Sequence, residues 1–168
     1  MVVASGADSP RVHTLPSSSA FSLQFHEVLE SGDVMSATPP TRPKEVVIAM
    51  YEALSRSDQA TLQRLTDPQV SIHVPEILPY GGTYVGWSGL QQLLQATSEL
   101  MDSRIEWDKF LDSGDQVVAV GFAHGRGRKS GRSFDAAIVH VLTVRDGRIT
   151  GFQAFVESAP VVAALRDT

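Results

Sequence analysis

The stretch Phe134–Val156, FDAAIVHVLTVRDGRITGFQAFV, decides the fold. Apolar side chains alternate from Ala136 to Val144, the pair Asp146-Gly147 follows, and a second β-rich run begins at Ile149. Two such runs around an Asp-Gly pair are typical of a β-hairpin with a two-residue turn. The stretch therefore predicts two antiparallel strands against which the rest of the chain packs.

The composition is that of an ordinary globular protein, and it excludes several classes of function. A chain of 168 residues predicts one domain, and its net charge of -5 argues against a nucleic-acid partner. The absence of cysteine excludes disulfides, thiol catalysis and cysteine-ligated metals. No apolar run approaches the roughly 20 residues that span a bilayer, and the first residues lack a signal-peptide core. These features predict a cytoplasmic protein that does not enter a membrane.

The chain divides into an N-terminal extension, residues 1–43, and a compact domain, residues 44–168. The extension is rich in Ser, Pro and Ala and shows no periodicity, so we expect it to be largely irregular. Its segment 21–30, FSLQFHEVLE, is compatible with a short amphipathic helix. Two interpretations stay open: the segment docks on the domain or on a partner subunit, or it precedes a natural start at Met35.

Periodicity and turn residues predict the remaining elements. The predicted helices span 44–57, 59–65 and 87–101, the predicted strands span 70–74, 104–111, 116–124, 133–144 and 149–156, and a short helical tail spans 160–165. Helices followed by strands, without βαβ alternation, indicate an α+β fold. We expect a curved mixed or antiparallel sheet that forms a cone closed by three helices, with a ligand cavity inside.

Three segments carry a resemblance to a known family: YEALSRSD (51–58), VSIHVPEILPYGGTYVGWSGL (70–90) and HVLTVRDGRITGF (140–152). Over residues 44–165 the chain resembles the SnoaL-like branch of the nuclear transport factor 2-like superfamily. The resemblance implies a cystatin-like α+β roll and homodimers that pair through the outer sheet face. The superfamily includes ketosteroid isomerase, polyketide cyclases, epoxide hydrolases, dehydratases and members that only bind, so fold alone does not decide function.

Strand parity sorts the side chains of the predicted sheet into two faces. If the strands pair continuously from a turn at Asp146-Gly147, Val139 faces Ala154 and Val141 faces Phe152. Aligning ketosteroid isomerase along the chain makes this set the cavity wall. The predicted substrate-binding residues are Val120, Phe122, Val139, Val141, Phe152, Ala154, Val156 and Trp107. The opposite face is predicted to contact the dimer partner through His140, Gln153 and Phe155.

The same alignment excludes a steroid isomerase. The isomerase's oxyanion-hole tyrosine falls near Met50, its base aspartate near Val74 and its protonated aspartate at Val139. Isomerase chemistry needs a carboxylate base beside a neutral acid donor. Because the chain lacks both carboxyl groups at these positions, the resemblance does not extend to that reaction.

Four polar residues are the candidates for catalysis: His124, Asp135, His73 and Tyr51. A tight hairpin places His124 directly opposite Asp135, and a histidine oriented by a carboxylate is a credible general base. Each has a plainer alternative, namely a surface ion pair for His124 and Asp135, an exposed strand residue for His73 and a packed core residue for Tyr51. The five histidines show no metal-ligand spacing, so no metal site is predicted.

These observations predict a cofactor-independent enzyme that performs general acid/base chemistry on a small hydrophobic carbonyl or cyclic metabolite. A cyclase, an isomerase and a dehydratase all fit this description. The alternative is a non-catalytic module that binds a small molecule or dimerises through the same fold. A limonene-type epoxide hydrolase ranks lower, because it needs an Asp-Arg-Asp set on the cavity wall and only Asp135 is a plausible member of it.

Overall fold

A computed structural model describes residues 42–166, and this part of the chain holds four helices and six strands. They are α1 Pro43–Ser55, α2 Gln59–Leu65, β1 Thr66–Val74, β2 Gly82–Val85, α3 Gly86–Leu100, β3 Met101–Ser113, β4 Gln116–Gly127, β5 Ser133–Arg145, β6 Arg148–Val156 and α4 Ser158–Leu165. The α+β prediction is confirmed. The helix predicted over 21–30, like the rest of 1–41, lies outside the described residues.

The six strands form one mixed sheet in the order β2-β1-β6-β5-β4-β3. All neighbouring strands are antiparallel except β1 and β6, which are parallel. Helix α1 packs against β3 to β6, α3 against β1 to β3, and α4 against β4 and β5. We call the sheet face that carries the buried side chains of β5 the inner face and the opposite one the outer face. The buried residues of β5 are Phe134, Ala136, Ile138, His140, Leu142 and Val144.

Helix α1 is formed and oriented by its own sequence. Pro43 occupies the start of the helix, where its missing N–H costs nothing, and Glu45 lies in the first turn, where the helix dipole favours a carboxylate. Val47, Met50 and Tyr51 repeat at helical spacing and are all buried. The helix therefore presents Tyr51 to the interior.

The hairpin turn between β5 and β6 is as predicted, but the pairing beyond it is not. Arg145 pairs with Arg148, and both Asp146 and Gly147 have positive φ, as a type I′ turn requires. The register then shifts, because Thr143 pairs with Gly151 while Val144 pairs with Ile149. Thr150 is thus an extra residue, a β-bulge.

This bulge overturns the predicted partition of the two faces. Because side chains alternate, a slip of one residue moves every following side chain to the other face. Phe152 is therefore paired with Leu142 and Ala154 with His140, not with Val141 and Val139. The prediction that His140 faces outward is wrong, since His140 is buried on the inner face.

On β4, too, the alignment with the isomerase predicts the wrong set of inward-facing residues. The buried residues of β4 are Val117, Ala119, Gly121, Ala123 and Gly127. Val120 and Phe122 alternate with them and lie on the outer face, where Phe122 is 52% exposed. The prediction that they wall the cavity is therefore wrong.

One strand lies where none was predicted, and the tip between β4 and β5 is held by two helices. Strand β2, Gly82–Val85, lies within a segment predicted to be a loop and pairs with the edge of β1. The tip between β4 and β5 is tied to two helix ends, since Arg128 Nε donates to the Ser98 carbonyl of α3 and Arg132 Nη1 donates to the Ala163 carbonyl of α4. Arginines are suited to this role because the last carbonyls of a helix lack partners.

Candidate functional site

The inner face carries one buried polar pair, Tyr51 and His140. The Tyr51 hydroxyl and His140 Nδ1 are 2.7 Å apart, which is hydrogen-bond distance. Tyr51 is 3% exposed and His140 is 6% exposed. Helix α1 and strand β5 thus bring together two residues that are 89 positions apart in the sequence.

Aromatic rings surround this pair. Trp107 lies with its ring centroid 4.5 Å from Tyr51 and 5.2 Å from His140. Phe152 stands 4.6 Å from His140, and Phe110 stands 6.1 Å from Tyr51. These separations are typical of packed aromatic clusters. The pair therefore sits in an environment with little polarity of its own.

Burial keeps both members of the pair neutral at pH 7. It lowers the pKa of His140 to about 3, because an imidazolium loses its hydration there. Burial also raises the pKa of Tyr51 well above its usual value. Among residues 42–166, Thr66 and His140 are the only buried side chains of polar or charged type besides the tyrosine. The site therefore offers hydrogen bonds and no permanent charge.

The pair His124 and Asp135 forms as predicted, but on the outer face. The two residues are directly paired, and His124 Nδ1 lies 2.5 Å from Asp135 Oδ1. Glu106 Oε2 is 3.7 Å from the other imidazole nitrogen. The carboxylate side chains of Asp135 and Glu106 are 79% and 66% exposed. This histidine is accessible to solvent and does not line the interior.

His73 also lies on the outer side of the sheet. It is exposed on β1 between two buried neighbours, Ile72 and Val74, and its Nδ1 lies 3.2 Å from the Thr83 hydroxyl. Of the four predicted catalytic residues, Tyr51 alone reaches the interior. Its partner there is His140, which was not a predicted catalytic residue.

The predicted substrate-binding residues divide between the two faces. Four lie on the inner face: Trp107, Phe152, Ala154 and Val156. The other four lie on the outer face: Val120, Phe122, Val139 and Val141. Gln153 and Phe155, predicted as dimer contacts, are exposed on the outer face as expected.

His140 was missed although the sequence holds a signal for it. The even positions of β5 are apolar apart from His140, whereas the odd positions include Asp135, Thr143 and Arg145. The even set is thus the more hydrophobic one and the better candidate for burial. A histidine within it is surrounded by core residues, which points to a hydrogen-bonded partner.

Two other classes of site find no support in the part of the chain that the structure describes. No three His, Asp or Glu side chains between residues 42 and 166 are grouped as ligands for a metal ion. Within the same range, no helix is long and apolar enough to cross a membrane.

Comparison with known proteins gives both a family and a set of similar structures. The sequence profile of the SnoaL-like domain matches residues 47–152. No curated protein sequence matches the chain. A nuclear transport factor 2-like protein from Burkholderia thailandensis is 28% identical, with a TM-score of 0.70 over 74% of this chain and 98% of that one.

Two more solved structures show the same fold. A nuclear transport factor 2-like protein from Burkholderia xenovorans is 26% identical, with a TM-score of 0.68 over 76% of this chain and 99% of that one. TerC, co-crystallised with polyporic acid, is 23% identical, with a TM-score of 0.65 over 75% of this chain and all of that one. At this identity the likeness to TerC concerns the fold alone.

Proposed function

The chain belongs to the SnoaL-like domain family, and on that premise we propose that its inner site performs general acid/base chemistry on a small hydrophobic carbonyl or cyclic compound. The observation that carries the proposal is the 2.7 Å contact between Tyr51 and His140. A histidine hydrogen-bonded to a tyrosine in apolar surroundings supplies the kinds of group that acid/base catalysis uses. The reaction class is a proton transfer next to a carbonyl group, as in a cyclase, an isomerase or a dehydratase.

The neutral pair can present a donor and an acceptor at once. With the proton of His140 on Nδ1, this nitrogen donates to the Tyr51 oxygen, so the hydroxyl proton of Tyr51 is available to a ligand. Nε2 of His140 is then the unprotonated ring nitrogen and can accept a hydrogen bond or a proton. In the other tautomer the hydroxyl donates to Nδ1 and Nε2–H is the available donor.

The first tautomer suits removal of a proton next to a carbonyl. Nε2 of His140 takes the α-proton, the C–H electron pair enters the enolate, and the Tyr51 hydroxyl donates a hydrogen bond to the enolate oxygen. Return of the proton from Nε2 to a different carbon completes an isomerisation. His140 is neutral at pH 7 and can accept the proton, but the burial that lowers its pKa also weakens it as a base. The negative charge of the enolate beside it stabilises the imidazolium that forms.

The arrangement differs from the isomerase in a defined way. His140, not Val139, is the inward residue at the place aligned with the protonated aspartate, and Tyr51 follows the position aligned with the tyrosine. Val74, aligned with the base, is buried and apolar. A neutral donor pair is therefore present while the carboxylate base is absent, so we assign the base role to His140.

The alternatives rest on weaker observations. The absence of a buried carboxylate between residues 42 and 166 favours a module that only binds its ligand. It also speaks against an epoxide hydrolase, whose Asp-Arg-Asp set needs two carboxylates on the cavity wall. The pairs around His124 and His73 lie on the outer face and are open to solvent, where water competes for their hydrogen bonds.

We further propose that the outer face pairs with a second copy of the chain. Phe122 on β4 and Phe155 on β6 are 52% and 49% exposed there, and the half-buried Val139 and Val141 lie on β5, the strand between them. Exposed apolar patches of this kind usually mark interaction sites. The contact residues would include Gln153 and Phe155, but not His140, which is buried.

Exchange of the α-protons of a small cyclic ketone, 2-tetralone, tests the proposed chemistry. In D₂O, nuclear magnetic resonance should show faster exchange with the wild-type protein than with buffer. His140→Gln should return the rate to the buffer rate, and Tyr51→Phe should lower it about 10- to 100-fold. Tyr84→Phe is the matched control, since its hydroxyl donates to the Tyr80 carbonyl away from the pair.

Two outcomes would contradict the proposal. Exchange by His140→Gln at the wild-type rate would remove the base role. A wild-type rate equal to that of buffer, combined with tight binding of 2-tetralone or of polyporic acid, would leave the binding module as the function.

A further inference from the structure

The indole N–H of Trp107 is a buried polar group that has no part in the proposed acid/base chemistry. Its indole Nε1 is buried and has no hydrogen-bond partner within residues 42–166. Buried donors are almost always paired, so an unpaired one in a native structure calls for an explanation. The ring as a whole is partly exposed, and it packs directly on Tyr51 and His140.

The backbone of β3 is deformed at this residue. The pairing of β3 with β4 shifts between Trp107 and Lys109, which leaves Asp108 as an extra residue. Bulges occur frequently beside functional sites, where they change the direction of a side chain. After the bulge, Phe110 rather than Lys109 joins the inner-face cluster.

Gly121, the residue paired with Trp107, leaves room for the indole ring. A Cβ at this position would lie 3.0 Å from Trp107 Cε3 and 2.3 Å from the Glu106 carbonyl oxygen. No side chain therefore fits between the ring and strand β4. The ring lies across β4 and reaches His140 on the next strand, β5.

We infer that Trp107 is a specificity-determining residue whose indole N–H donates to a second oxygen of the ligand bound at Tyr51 and His140. The inference rests on the proposed function, because it assumes a ligand at that pair. The N–H has already lost its water in the free protein, so a ligand acceptor regains a hydrogen bond without a further desolvation cost for the donor. The ligand class is a planar ring compound with two oxygen substituents.

A pair of probes tests the inference: 2-naphthol, with one oxygen, and 1,3-dihydroxynaphthalene, with two. The wild-type protein should bind the two-oxygen probe about 5- to 10-fold more tightly, as expected for one additional hydrogen bond. Trp107→Phe should bind both probes equally. Tyr51→Phe should weaken both probes, and Trp87→Phe, which changes the other tryptophan of the chain, should leave the preference intact.

A second measurement does not depend on the folding of Trp107→Phe. In ¹⁵N-labelled Trp87→Phe protein a single indole N–H signal remains, that of Trp107. It should move downfield on addition of 1,3-dihydroxynaphthalene and much less on addition of 2-naphthol. Equal shifts with both probes, or equal affinities in the wild type, would overturn the role of Trp107 while the acid/base proposal stands. Failure of the wild type to bind either probe would overturn the role of Trp107. The acid/base proposal would fall with it only if 2-tetralone exchange also ran at the buffer rate.

Discussion

Two histidines of this sheet each lie within hydrogen-bond distance of an oxygen, but one is buried and the other is open to solvent. The difference in burial determines what the loss of each hydrogen bond costs. His140 lies 2.7 Å from Tyr51 on the inner face, and His124 lies 2.5 Å from Asp135 on the outer face. The geometry is similar, but one pair is excluded from water while Asp135 is 79% exposed. In the interior a lost partner leaves an unsatisfied group, whereas at the surface water replaces it. Proximity alone therefore does not identify the functional pair.

The largest contrast should appear in folding stability. Tyr51→Ala removes a buried ring and should lower the free energy of unfolding by about 3–5 kcal/mol. Asp135→Ala should lower it by less than about 1 kcal/mol, because the pair is exposed. Urea denaturation of both variants measures the difference. Similar losses for the two would show that burial does not separate the pairs.

Protonation of His140 should make the free energy of unfolding depend on pH. An imidazole in the unfolded chain has a pKa near 6.5, whereas burial lowers that of His140 to about 3, so the unfolded chain binds the proton first. Stability from this group is complete above about pH 6.5 and falls by ~1.4 kcal/mol per pH unit as the pH drops towards 3. His140→Gln should lose this slope, and His124→Gln should keep it. Denaturation between pH 7.5 and 4.5 measures it.

Gly121 of β4 and Gly151 of β6 should differ in their tolerance of a methyl group. Gly121→Ala places its Cβ 2.3 Å from the Glu106 carbonyl oxygen and should cost about 1–3 kcal/mol. Gly151→Ala is the matched control, since its Cβ would lie 3.4 Å from the Thr143 hydroxyl. Thermal unfolding compares them. If Gly121→Ala is as stable as the control, the close approach of β3 to β4 does not hold.

The outer face should govern self-association. Phe122→Gln and Phe155→Gln should each weaken a dimer about tenfold, as expected when a central aromatic contact is lost. Ile77→Gln, which changes an exposed apolar residue in the loop between β1 and β2, should not. Sedimentation velocity over a concentration series measures the equilibrium. Unchanged association in both Phe variants would remove the outer face as the dimer surface.

Much of the fold could be predicted from the sequence, because local turn and helix preferences agree with the tertiary packing in most elements. The Asp146-Gly147 turn, the pairing of His124 with Asp135 and the buried stripe of α1 all follow from spacing and turn chemistry. Strand β2 could not be predicted in this way. Its four residues stand among glycines and prolines and are held as a strand by pairing with β1, which is a tertiary contact.

The site was predicted less well than the fold, for two reasons: the wrong face of β4 and β5 was assigned to the interior, and the bulge at Thr150 was not foreseen. Thr150 has no sequence feature that marks it as a bulge, yet it exchanges the partners of every later residue in β6. In a continuous hairpin Phe152 and Ala154 would share a face with Val139, whereas in the observed one they share the face of His140. Parity arguments are therefore reliable only up to the first irregularity of a strand.

A double-mutant cycle on 2-tetralone exchange tests most directly whether Tyr51 and His140 act as one unit. The cycle compares the wild type with Tyr51→Phe, His140→Gln and the double variant. If the pair is the catalytic centre, the double variant should exchange protons no more slowly than His140→Gln alone. Without His140 no base removes the proton, so the loss of the Tyr51 hydroxyl has no further effect. Losses that multiply, or a His140→Gln rate equal to that of the wild type, would contradict the central claim.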